Sequence, residues 1–136
     1  MKWEPVLEKI EIRGFPPETS SHDALKRKEK LRKRIKDEID TELNKIKKRT
    51  INRPLFIDVC YYLYLADASG SSKKDLDNLL KILFDVLSVN MVNGQDEKKG
   101  LGLMKDDSYV QKIKCEKKLV NKEEKQGFDL LISRGS

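Results

Sequence analysis

Apolar residues recur along this chain at two different periods, and the switches between them mark out its elements. Residues 6–13 partly alternate, with Val6, Leu7, Ile10 and Ile12 among charged neighbours, and predict a strand that Gly14-Phe15-Pro16-Pro17 ends. From residue 22 to about residue 48 the period lengthens. Leu31, Ile35, Ile39, Leu43 and Ile46 follow one another at steps of four, four, four and three, which is one narrow apolar stripe on a long polar helix capped by Ser21. Thr50 to Pro54 reads as a turn. Over residues 55–65 the alternation is strict. Leu55, Ile57, Val59, Tyr61, Leu63 and Leu65 form an apolar face, and Phe56, Asp58, Cys60, Tyr62 and Tyr64 a mixed one.

A small polar loop, residues 66–72, leads to a second helix over residues 76–87. It is apolar almost all round, so burial is expected on most sides. Asp77, Asn78, Lys81, Asp85 and Ser88 share the remaining wedge, about 100° wide at 3.6 residues per turn. Residues 89–105, with Asn93-Gly94, Gly100 and Gly102, form a long connection, read as either a hairpin or a flap. Residues 109–119 alternate again and predict a half-exposed strand with a basic outer row. A turn over residues 121–127 precedes a short last strand, residues 128–132, with Phe128, Leu130 and Ile132 facing one way. The predicted order is β-α-β-α-β-β. It implies an α/β sandwich in which helices cover a mixed sheet, in a single domain spanning residues 1–136.

Composition narrows the function classes. Apolar and charged residues each make up 38% of 136 residues, enough for a real core without disulfide or metal. No apolar run approaches a membrane span, and the start shows no signal-peptide core, so a cytoplasmic location is expected. Two cysteines in strand-like runs and one histidine give no zinc pattern. The net charge of +6 is concentrated: residues 22–49 hold twelve Lys/Arg and six Asp/Glu, a surplus of six, and the rest is balanced. Such a stripe is the footprint of a nucleic-acid binder, with Lys26, Arg27, Lys30, Lys33 and Arg34 as candidate phosphate contacts. A merely solvated face, or a stripe packed on another subunit, stays open at this point.

The candidate chemistry lies between residues 73 and 110. Asp75 and Asp77 stand at i and i+2 where the second helix begins, Lys81 follows one turn later, and Asp106-Asp107 precede the next strand. Each feature has an ordinary explanation in a helix cap, an i,i+4 ion pair or a turn. Together they are the oxygen donors that a hard divalent cation requires. For these acids to meet, the 89–105 connection must return along the full length of the helix.

Lys73-Lys74-Asp75-Leu76-Asp77-Asn78-Leu79-Leu80-Lys81, then Phe84-Asp85-Val86-Leu87, then Asp106-Asp107-Ser108-Tyr109-Val110-Gln111, resembles the RusA-type Holliday junction resolvases. The motif identity covers about 35 residues, and the topology nearly the whole chain. The resemblance implies Asp75, Asp77 and Asp107 as essential acids, Lys81 as a catalytic lysine, Asp106 as a supporting metal ligand, and Lys73 and Lys74 as DNA contacts. It further implies Mg²⁺, replaceable by Mn²⁺, and a homodimer that nicks branched DNA at two symmetric positions. The chain departs from the family in its longer 89–105 connection and in lacking an asparagine after Pro16-Pro17. The expectation is therefore a metal-dependent endodeoxyribonuclease acting in recombination and repair. The alternatives are a basic nucleic-acid-binding module without catalysis and, less well matched, a haloacid-dehalogenase-like phosphatase, whose first aspartate follows a buried strand directly.

Overall fold

The computed structural model describes residues 2–17, 24–64, 76–92 and 97–136. They form a four-stranded mixed sheet and three helices in the order β1 (Trp3–Arg13), α1 (Ala24–Ile39), α2 (Leu43–Thr50), β2 (Leu55–Tyr64), α3 (Leu76–Leu87), β3 (Val110–Val120) and β4 (Gly127–Gly135). The sheet order is β1-β4-β2-β3. β4 runs antiparallel to both neighbours, and β2 and β3 run parallel, joined through α3. A parallel pair needs such a crossover, because no tight turn can reverse the chain twice.

The α/β class is as expected, but the order is β-α-α-β-α-β-β, because the long first helix breaks at Asp40-Thr41-Glu42. Each four-residue step overshoots a 3.6-residue turn by about 40°, so three steps carry Leu43 about 120° round from Leu31, to the edge of the stripe, where the chain turns. The turn re-aims the chain, the Glu42 amide donates to the Ile39 carbonyl at 2.9 Å, and Ile35, Ile39 and Ile46 are all buried.

β2 alternates buried and half-buried residues along its whole length, with Leu55, Ile57, Val59, Tyr61 and Leu63 inward. Its inner row meets Phe128, Leu130 and Ile132 of β4 and Leu79, Leu83, Val86 and Leu87 of α3. Burial of such side chains stabilises by about 1.5–3 kcal/mol each. β4 is longer than the pattern predicts. It continues through Arg134 and Gly135, whose partners are Glu4 and Trp3, and the Gly135 amide donates to Pro54 at 2.8 Å. A strand with neighbours on both sides gains ladder bonds that a sequence pattern does not display.

The long connection after α3 opens as a narrow antiparallel pairing, the hairpin alternative: Asn90 lies opposite Lys99, the Met91 amide donates to the Lys98 carbonyl at 2.7 Å and the Gly100 amide to the Val89 carbonyl at 2.9 Å. Its second half folds back on the end of α3. The amides of Leu101 and Leu103 donate to the carbonyls of Val86 and Leu87 at 2.7 and 2.9 Å, and Ser88 bridges Met104 in parallel. Leu101, Leu103 and Met104 are fully buried. No helix among the described residues is long and apolar enough to cross a membrane.

Candidate functional site

Asp77, Asn78 and Lys81 are the exposed residues of α3, so the first part of the polar wedge read from the sequence is a ridge open to solvent, whereas Asp85 is half-buried against Lys28 and Ser88 is buried. Tyr61 positions it: the buried phenol donates to the Leu79 carbonyl at 3.2 Å and ties the first turns of α3 over β2. Among the described residues neither Asp77 nor Lys81 has an ion-pair partner, not even each other. Burial pushes the Cys115 thiol up to about 11, and repulsion from Cys60 and then from the Asp77 carboxylate adds to it.

Asp106 and Asp107 stand elsewhere. They precede β3 at its first residue, where Val110 lies beside Leu55. Both are exposed. Asp106 caps a short 3-10 turn, Asp107–Tyr109, by accepting from the Ser108 amide at 2.9 Å and from the Ser108 hydroxyl. These hydrogen bonds lower the Asp106 pKa below the usual carboxylate range.

The two acid groups therefore occupy opposite ends of one βαβ unit. Asp77 sits near the level of Tyr61, and Asp107 beyond the level of Leu55. Six strand residues at about 3.3 Å each separate those levels, roughly 20 Å. Hard oxygen donors suit Mg²⁺, but Asp77, Asp106 and Asp107 do not converge on one ion within a single chain. Among the described residues no group of three or more His, Cys, Asp or Glu is placed to hold a metal. Asp75, Lys73 and Lys74 lie outside the described residues.

The basic helix divides its charges between inside and outside. Lys26, Lys30 and Lys33 are exposed on α1. Lys30 also lies 5.7 Å from the centre of the Phe15 ring. Arg34 is neutralised by Glu38 one turn on. Arg27 is half-buried and lines an apolar cleft with Phe15, Leu31 and Phe128. Lys28 is used internally: its ammonium lies 2.9 Å from Asp85 on α3 and donates to the Met91 carbonyl at 3.2 Å. So Asp85, part of the family-like motif, is engaged in holding α1 against α3.

Sequence reasoning missed one polar network, on the sheet face away from α3. Tyr62 donates to Asp129 Oδ2 at 2.7 Å. Arg13 reaches Asp129 Oδ1 at 2.9 Å, a charge contact too oblique for a hydrogen bond, and stacks 4.2 Å over the Tyr62 ring. Gly127 lies between Arg13 and Tyr62 in register. The hydrogen bond to Asp129, and then burial, raise the Tyr62 phenol far above its ordinary value. The alternating pattern placed Tyr62 on the mixed face, but nothing in it paired residue 13 with residue 129.

No family model matches the chain, and the comparisons with curated proteins and with solved structures likewise give no match.

Proposed function

We propose that the chain is a divalent-metal-dependent endodeoxyribonuclease acting on branched DNA, with each acidic centre assembled from two copies of the chain. The observation that carries this reading is the unpaired Asp77–Lys81 ridge on an otherwise buried helix, within a motif that resembles the RusA-type resolvases. Leaving a charged ridge without partners gains nothing for the fold, whereas a phosphodiester and its cation would use both charges. The roughly 20 Å between Asp77 and Asp107 in one chain is why a second copy enters the proposal. A two-fold dimer presents two equal sites, as two symmetric nicks require.

In this reading Asp75 and Asp77 of one copy and Asp107 of the other hold Mg²⁺, with Asp106 supporting Asp107. The metal supplies Lewis-acid activation when bound. Lys81 pairs with a phosphate oxygen beside Asp77. Lys26, Lys30 and Lys33, with Lys73 and Lys74, contact the arms of the DNA.

The test is a labelled four-way junction with Mg²⁺. Paired nicks are expected, and their loss in Asp77→Asn and in Asp107→Asn. Mixing those two inactive variants should restore nicking, because one site of each mixed dimer keeps both aspartates. Cleavage by Asp77→Asn at the parent rate would remove the proposed site; failure of the mixture to recover would remove the shared centre.

The capping role of Asp106 favours a second reading, a nucleic-acid-binding domain without catalysis. It predicts salt-dependent binding and intact DNA at any Mg²⁺ or Mn²⁺ concentration.

A further inference from the structure

A cleft of about 360 Å³ opens between α1, α2 and the returning connection, bounded by Arg32, Lys36, Asp40, Asn44, Lys47 and Gly100. Three cations share it with one carboxylate. Among the described residues none of Arg32, Lys36 and Lys47 has an ion-pair partner, Asp40 included. The Arg32 Nε is shut off from solvent and has no hydrogen-bond acceptor. Lys47 is held over the connection: its Cε would lie 3.0 Å from a side-chain carbon added at Gly102, whose φ is +73°. Arg32 also lines a second hollow, with Lys33, Lys98 and Lys99 beside Glu29 and Glu97.

Gathering like charges around a donor that lacks an acceptor is unfavourable unless an anion is there to answer it. We propose that this cleft binds the phosphodiester backbone of DNA, with Arg32 as the donor to a phosphate oxygen and Lys36 and Lys47 flanking it. The chemistry fits because guanidinium N–H groups match phosphate oxygens and lysines add point charge. A continuous strand suits the cleft better than a small free anion, because the hollow beyond Arg32 adds Lys33, Lys98 and Lys99 against Glu29 and Glu97, a net positive continuation. All three belong to the basic run of residues 22–49, Arg32 and Lys36 on α1 and Lys47 on α2. Across the turn between α1 and α2, Lys47 shares one cleft with Arg32 and Lys36.

This inference deepens the nuclease reading and rests on it for the choice of DNA, but its test needs no cleavage. Fluorescence anisotropy of a labelled four-way junction in EDTA, from 50 to 300 mM KCl, gives the slope of log Kd against log salt. The double variant Lys36→Gln with Lys47→Gln should lower that slope by about 1.8, as expected for two lost phosphate contacts. Arg32→Gln should weaken binding at every salt concentration. The control, Lys122→Gln with Lys125→Gln in the turn before β4, should leave the slope unchanged. Thermal melts verify that each variant is folded. A parent-like slope in the double variant, or an equal loss in the control, overturns the proposal, as does absence of junction binding by the parent chain. Cleavage with an unaltered slope would discard the cleft and keep the nuclease; a lowered slope without cleavage would do the reverse.

Discussion

Replacing Lys28 with methionine asks whether a lysine in a basic run serves the fold rather than a ligand. Its side chain is only 14% exposed, and it joins three elements: the ammonium pairs with Asp85 of α3 at 2.9 Å and donates to the Met91 carbonyl at 3.2 Å. Methionine keeps the stem and removes both bonds. Asp85 is 37% exposed and can rehydrate, so losing that pair costs about 1 kcal/mol. Met91 is buried, and its carbonyl loses a charged donor, which adds about 1–2 kcal/mol. The sum is about 2–3 kcal/mol. For a chain of 136 residues the unfolding entropy near 60 °C is about 0.29 kcal/mol/K, so Tm should fall by about 7–10 °C. Denaturant unfolding should show a lower midpoint at an unchanged slope. Lys26→Met on the exposed side of the same helix should stay within about 0.5 kcal/mol. If Lys28→Met also stays within 0.5 kcal/mol of the parent, the ammonium does not clamp α1 to α3, and the division of α1 charges into internal and external is wrong.

Two further outcomes follow from local geometry and titration. Gly127→Ala should abolish folding at 37 °C or cost more than about 4 kcal/mol, because the added carbon would lie 1.8 Å from the Ile12 carbonyl oxygen at φ +154°; Gly14→Ala, at φ +69° with open space around it, should cost only about 1 kcal/mol on the same denaturation curve. Stability should also fall in alkali. The Tyr61 and Tyr62 phenols are both raised above the ordinary value of 10, the first by burial and the second chiefly by its hydrogen bond to Asp129. The unfolded chain loses these protons near pH 10 while the native one keeps them, so the stabilisation is complete below pH 10. Above it stability declines, by about 1.4 kcal/mol per pH unit for the buried Tyr61 and by less for Tyr62, whose interactions solvent screens. Denaturation midpoints between pH 8 and 11 read this directly, and Asp129→Asn should make Tyr62 ionise at lower pH in the ultraviolet titration.

Local elements and their inward faces were legible in the order of residues alone. Strict alternation in β2, the near-continuous apolar surface of α3 and the inward set of Phe128, Leu130 and Ile132 depend on periods of two and 3.6, which the backbone imposes before any tertiary contact forms. The solvent-facing ridge of Asp77, Asn78 and Lys81 was legible for the same reason. What joins distant segments was not. The helix break at Asp40-Thr41-Glu42, the burial of Leu101, Leu103 and Met104 against the end of α3, and the Arg13–Asp129–Tyr62 network depend on which strands are neighbours. So do the conversion of Lys28 into an internal clamp and the basic cleft around Arg32. Sequence places Asp77 and Asp107 thirty positions apart and says nothing of direction. The parallel course of β2 and β3 settles it, because a helix returning between parallel strands must carry its start and its exit to opposite ends of the sheet.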